Sequence, residues 1–356
     1  MDERKSHHLE LTNRSQVGTH QLNELFDYEP LLNGFSKDKI VNEEIKVGKK
    51  TLKHPLWISS MTGGTSAAGP INKALAKVAG EFGLGMGLGS CRPLLEDDSS
   101  FSDFNLRPLI GENGVLFANF GMAQVSEELS KNGGHKLKEI CERLQVDGLF
   151  LHINPLQEWY QPEGDRWYHS PLETIEELSL ILKPLGLLLG VKEVGQGMGP
   201  SSLEALIKGP ADIIEFGAFG GTNFSFLESL RNDSSSDTKS IKSSTSLYEN
   251  KAQEFCFVGH SAEEMVIHVN RILAENTDLK GSKTFIVSGG IRSFLHGHYL
   301  LENLQDQGLY AMAKPFLEAA LQGEEFLRGF VQSELEGRAM AKTFFRAKPL
   351  GGPGGV

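Results

Sequence analysis

From residue 55 onwards the chain alternates between two patterns of apolar and polar positions. Short apolar or β-branched runs at 56–61, 85–90, 115–119, 148–154, 187–193, 213–216, 284–288 and 309–312 each end in glycine or polar residues, as strands buried on both faces do. The intervening stretches 71–82, 125–144, 172–182, 203–208, 262–275 and 295–305 carry apolar residues at three- and four-residue spacing or helix-forming composition, which predicts helices. Eight strands alternating with helices predict an α/β chain folded as a (β/α)8 TIM barrel, whose strand ends converge on one face. A doubly wound open sheet is the runner-up, but the first βα turn lacks G-x-G-x-x-G and the repetition runs too far along the chain. The expected organisation is a single domain: an N-terminal extension at 1–54, a barrel at 55–347 and a flexible tail at 348–356. The stretch 232–246, Asn-Asp-Ser-Ser-Ser-Asp-Thr-Lys-Ser-Ile-Lys-Ser-Ser-Thr-Ser, is too polar to offset its ordering entropy by burial. It predicts a mobile surface loop inserted between strands six and seven.

Composition narrows the partners. A length of 356 residues suits two small domains or one barrel with additions, and the rhythm favours the barrel. A net charge of -11 opposes both nucleic acid and an anionic membrane surface. The three cysteines, Cys91, Cys141 and Cys256, form no C-x-x-C pair, which favours a reducing compartment without a disulfide framework. The start, Met-Asp-Glu-Arg-Lys-Ser-His-His, has no signal-peptide apolar region and no later run is long enough to span a bilayer, so a cytoplasmic address is expected. The charged cluster of Arg4, Lys5, His7 and His8 reads either as a mobile polar tail or as a cationic flap over an anion.

Under the barrel reading the strand ends can be inspected as a set. The first ends Ser59-Ser60-Met61-Thr62-Gly63-Gly64, the second Gly89-Ser90-Cys91-Arg92, and the third Ala118-Asn119. Cys91 has no base that can be placed beside it and reads as a small filler. The fourth runs into His152-Ile-Asn-Pro-Leu-Gln-Glu158 and Gln161-Pro-Glu-Gly-Asp-Arg166. Its imidazole, carboxamides and carboxylate suit a metal ion and a polar substrate, with a solvated loop as the bland alternative. The fifth ends Val191-Lys192-Glu193, where the Lys192 ammonium needs an anion or an electron-rich ring. The sixth leads into Gly220-Gly-Thr222, and the seventh into Ser288-Gly-Gly-Ile-Arg292. Paired glycines after a late strand suit a phosphate held by backbone N–H groups. With Arg292 beside them and Lys192 near a ring, a phosphate-bearing reduced flavin fits.

These segments, in this order, resemble the type 2 isopentenyl diphosphate isomerases, FMN-dependent (β/α)8 barrels. The element His152-x-Asn154-x-x-Gln157-Glu158 followed by Gln161-Pro-Glu-Gly-Asp165 is the most specific part; Gly-Gly-Ile-Arg is shared with other flavin barrels. The resemblance implies isomerisation of isopentenyl diphosphate to dimethylallyl diphosphate with reduced FMN and Mg²⁺, NADPH as reductant and no net redox change. It implies FMN contacts at Ser60, Met61, Thr62, Ser90, Asn119, Lys192, Thr222, Gly289, Gly290, Arg292, Ala311 and Met312. Arg4, Lys5, His8 and Arg92 would grip the diphosphate, which brings the N-terminal extension into the active site. Glu158 would bind Mg²⁺, Gln157 would sit by the isoprenoid carbons as an acid/base participant, and His152 and Asn154 would orient substrate. A homo-oligomer, tetramer or octamer, is also implied.

The chain departs from the family pattern at Cys91, commonly glutamine, at Asn223-Phe224, usually Ser-Trp, and over 293–298 and 310–314 near the expected phosphate end. Two rivals are weighed against this resemblance. One is an FMN-dependent oxidoreductase of the hydroxy-acid oxidase type, which would need a histidine where Ser288 stands. The other is a non-catalytic homologue that binds flavin or isoprenoid diphosphate.

Overall fold

The computed structural model describes residues 2–35, 43–60, 68–162, 164–167, 169–235 and 253–351. Eight parallel strands close into a barrel: β1 (Leu56–Ile58), β2 (Gly85–Gly87), β3 (Val115–Gly121), β4 (Gly148–His152), β5 (Leu188–Lys192), β6 (Ile213–Glu215), β7 (Thr284–Val287) and β8 (Gly308–Met312). Each falls within, or one residue or so from, a run that the apolar pattern marked, apart from β3, which continues through Gly121. Pairing of β8 with β1, with Tyr310 opposite Leu56, completes the ring and excludes the open sheet.

Trp57, Phe117 and Phe150 fill the lumen with their rings edge-on or tilted, at centroid separations of 5.0–6.0 Å. They fit because glycines stand beside them. A Cβ on Gly85 would lie 2.1 Å from the Trp57 ring, and one on Gly190 would lie 2.4 Å from Phe150. A hairpin of Ile45–Val47 and Lys50–Leu52 adds the buried Val47 and Leu52 to this lumen cluster. Around the same end, Asp147 accepts from Arg107 Nη2 at 2.8 Å, Lys50 Nζ at 2.7 Å and the Leu116 N–H at 2.9 Å. The buried Arg107 also donates to the carbonyls of Gln145, Gly111 and Gly114. This end of the barrel is thus tied shut by charge-assisted bonds and apolar packing, and the opposite end, where the strands finish, is left for chemistry.

Helices cover the barrel wall. The segment expected as one helix over 125–144 is two, Met122–Asn132 and His135–Leu144, because Gly133 and Gly134 both take left-handed φ, 58° and 76°. A long helix, Glu324–Phe344, lies outside the stretches that periodicity singled out. It buries Leu327, Val331 and Leu335 but also Glu334 and Arg338, so its apolar stripe is interrupted in sequence. The strand after it, Phe345–Ala347, pairs antiparallel with Phe26–Tyr28. The first residues form a helix, Asp2–Leu11, where composition alone allowed a mobile tail. Of the polar stretch 232–246, the first four residues end the helix Phe224–Ser235, and the rest lies outside the described residues, as do 352–356. No helix among the described residues is long and apolar enough to cross a membrane.

Candidate active site

At the mouth lies a cavity of about 730 Å³, walled by β1, β5, β6, β7 and β8 and the turns that follow them. It brings together Ser60, Lys192, Thr222, Gly289, Gly290, Arg292, Ala311 and Met312 of the expected FMN set. Met61 and Thr62 lie outside the described residues. Ser90 and Asn119 do not line it. Ser90 Oγ accepts the Arg92 N–H at 3.4 Å, and the buried Asn119 faces His152.

The turns after β6 and β7 meet backbone to backbone. Gly289 has φ 98° and its Cβ would fall 2.1 Å from the Ala218 carbonyl oxygen; a Cβ on Gly221 would fall 2.9 Å from the Gly290 nitrogen. Only glycine permits this approach, and it leaves a side-chain-free cradle with Arg292 exposed beside it. The helix Lys314–Leu321 starts at the same lip, so its N-terminal dipole adds positive potential there.

Lys192 is buried, and its Nζ donates to the Glu193 carbonyl at 3.1 Å. The Glu193 carboxylate accepts three backbone N–H groups, from Gly195, Gln196 and Gly197, at 2.7, 2.6 and 3.1 Å. Burial nevertheless pushes its carboxyl up. Glu215, 1% exposed, accepts the Ser59 hydroxyl at 2.6 Å through Oε1, and its Oε2 meets no donor. Ser60 Oγ is likewise buried without a partner. Sequence reasoning singled out neither Glu193 nor Glu215. Glu193 ends one apolar run and Glu215 stands next to last in another, and the only signal was a carboxylate at those positions.

The polar stretch after β4 is a folded turn rather than a solvated loop. Asn154, 3% exposed, starts the helix Pro155–Tyr160 and forks its Nδ2 to Gln157 Oε1 and Glu158 Oε1, both at 3.1 Å. Its Oδ1 is buried and unpartnered. Glu158 Oε2 accepts the Asp165 N–H at 2.8 Å, while Arg166 Nη1 donates to the Glu158 carbonyl at 2.6 Å. Gln161 Nε2 donates to Glu228 Oε1 at 2.9 Å. His152 Nδ1 stands 2.8 Å from Asn119 Oδ1, an acceptor, so Nδ1 carries the proton and Nε2 keeps its lone pair. Burial, with the Lys192 ammonium next, pushes His152 down to about 3. The register sets His152 opposite Lys192 on β5, so this turn adjoins the cavity wall without lining the cavity.

Arg4, Lys5 and His8 are exposed on the first helix, and Arg92 is exposed after β2; none lines the cavity. Cys91 is buried and its thiol is pushed up to about 12, consistent with a filler. Among the described residues no three His, Cys, Asp or Glu side chains are grouped as a metal cage.

The chain is 30% identical to the isopentenyl-diphosphate delta-isomerase of Rickettsia felis over 337 residues, covering 94% of this chain and 90% of that protein. It is 30% identical to the enzyme of the same name from Bacillus licheniformis over 299 residues, covering 83% and 75%. In structure it is similar to the flavin-binding domain of baker's yeast flavocytochrome b2, with a TM-score of 0.57, 13% identity and coverage of 89% and 72%. A mandelate oxidase variant with benzaldehyde gives a TM-score of 0.54 at 13% identity, covering 91% and 87%. These structural likenesses show the fold. No family model matches the chain.

Proposed function

The chain belongs to the isopentenyl-diphosphate delta-isomerase family, and from that premise we propose that its barrel mouth converts isopentenyl diphosphate to dimethylallyl diphosphate on a bound FMN, as the type 2 enzymes do. The observation that carries the flavin is the set of unfilled groups in one cavity: the glycine cradle at 289–290, the buried ammonium of Lys192, and the unpartnered Ser60 Oγ and Glu215 Oε2. Its volume suits a cofactor of that size. Gly289, Gly290 and Arg292 would hold the phosphate. Lys192 would face the ring edge where reduction places negative charge, and Ser60, Met61, Thr62, Ser90, Asn119, Thr222, Ala311 and Met312 would complete the contacts. Reduced FMN, generated with NADPH, supplies the electron-rich ring at which protons are exchanged without net redox change.

Glu158 would bind Mg²⁺. It is a single buried carboxylate, held by Asn154 Nδ2 and the Asp165 N–H, so diphosphate oxygens and water would fill the remaining positions. Gln157 is uncharged and would assist proton movement near the isoprenoid carbons without collapsing onto a developing cation. His152, neutral, would orient substrate through Nε2 alongside Asn154. Arg4, Lys5, His8 and Arg92, exposed and outside the cavity lining, would have to close over the mouth to grip the diphosphate, the role that the resemblance implies for them. We take the working form as a homo-oligomer, tetramer or octamer. Exposed Leu9, Val17, Leu22 and Leu31 on the N-terminal arm support that reading.

The test is direct. The purified protein, supplied with FMN, NADPH, Mg²⁺ and isopentenyl diphosphate, is expected to form dimethylallyl diphosphate without stoichiometric NADPH oxidation. A flavin spectrum with no isomerised product would overturn the reading.

A further inference from the structure

The contacts named so far give Glu215 no ligand atom of its own. Glu215 ends β6, almost wholly buried, and lines the cavity. The bond from Ser59 reaches it across the lumen, because Ser59 follows β1 and two strands, β7 and β8, separate β1 from β6 round the barrel. That bond fixes Oε1 and leaves Oε2 without a donor. A carboxylate oxygen in that condition is costly to bury, so a ligand that brings a donor gains more there than it would in water. Lys192 does not fill the need. Its Nζ turns to the Glu193 carbonyl, and among the described residues it makes no ion pair with Glu215.

Position selects the donor. In register, Glu215 stands between Lys192 on β5 and Ile286 on β7, the strand that runs into the Gly289–Gly290 turn. On the flavin reading above, on which this inference rests, Lys192 faces the ring and that turn takes the phosphate. A carboxylate between them cannot face the phosphate, since like charges repel. What lies between ring and phosphate in FMN is the ribityl chain, whose hydroxyls are donors. We propose that Glu215 anchors the ribityl chain: Ser59 holds Oε1, and Oε2 accepts one ribityl hydroxyl. The same carboxylate selects a hydroxylated linker at this point of the cavity and disfavours a second anionic group there.

The experiment titrates flavin-free protein with FMN and with its 2′-, 3′- and 4′-deoxy analogues, following flavin fluorescence. Wild type is expected to bind one deoxy analogue about 10- to 100-fold more weakly than FMN, the size of a lost bond to a charged group. Glu215→Gln is expected to bind FMN about 10-fold more weakly and to lose most of its discrimination against that analogue, because the two changes remove the same interaction. Ser59→Ala, which keeps the carboxylate but frees its orientation, is expected to blunt the same discrimination, and it carries the test if Glu215→Gln does not fold. Variants that discriminate as sharply as wild type, or a wild type indifferent to every deoxy analogue, would overturn the assignment of Glu215. A wild type that does not bind FMN at all would instead overturn the flavin reading itself.

Discussion

Two ionisable side chains respond to pH in opposite directions. His152, pushed down to about 3, stays neutral over the whole working range, so it serves as a fixed hydrogen-bonding group and not as a general acid. The unfolded chain protonates this residue first as pH falls below its ordinary value of 6.5, so the fold loses stability on that side. Glu334 is the reverse case. Burial raises it to about 7, so between its ordinary 4.5 and 7 the folded chain holds a proton that the unfolded chain has lost. Stability therefore falls as pH rises through that window, by on the order of 3 kcal/mol when complete. Glu334→Gln is expected to raise the midpoint of thermal unfolding at pH 8 and leave it nearly unchanged at pH 4.5. Gln157 is the residue through which the chemistry can be checked. Gln157→Ala is expected to lower kcat by roughly 100-fold or more with FMN affinity unchanged, measured by turnover beside flavin titration. Gln157 and Glu158 drew notice in sequence because polar groups crowd directly behind an apolar run, and their proposed roles come from the resemblance. Glu215 was not, since Ile-Ile-Glu-Phe-Gly reads as a strand that happens to end in a charge. Only closure of the barrel brings Ser59 to it.

Among the elements, strands were more legible than helices. A barrel strand buried on both faces leaves an unbroken apolar run, and all eight were marked in that way. The helix Glu324–Phe344 escaped because two of its buried positions are Glu334 and Arg338, the latter paired through Nη1 with Glu43 at 2.5 Å, a partner far away in sequence. The break at Gly133–Gly134 is written in the chain, but both flanks share one apolar rhythm and so read as a single helix. The pair of Arg107, which precedes β3, and Asp147, which precedes β4, holds the closed end of the barrel. Asp147→Ala would leave the Arg107 guanidinium buried without its carboxylate and is expected to cost roughly 3 kcal/mol. Urea unfolding reads that loss. FMN titration of the same variant should match wild type, because the pair lies at the end opposite the cavity.

At the scale of the molecule, counting strands gave the barrel, and the barrel gave the face on which to look. The assembly of the site needed more than counting. Lys192 ends β5 while Gly289, Gly290 and Arg292 share the turn after β7, far apart in sequence, and the chemistry expected of a phosphate-bearing flavin joined them before the fold did. The exposed N-terminal helix carries Arg4, Lys5 and His8 away from the cavity lining, a placement that composition could not show. Closure itself has a consequence for how the protein is made. Because β1 finds its second neighbour only in β8, a chain emerging from the ribosome carries an unpaired parallel edge through nearly the whole of its translation. Local βα units can form early, but the ring locks only near release. Until then the nascent chain offers an open template for wrong pairing, and its yield in a cell should depend on chaperone capacity during synthesis more than on the stability of the finished fold.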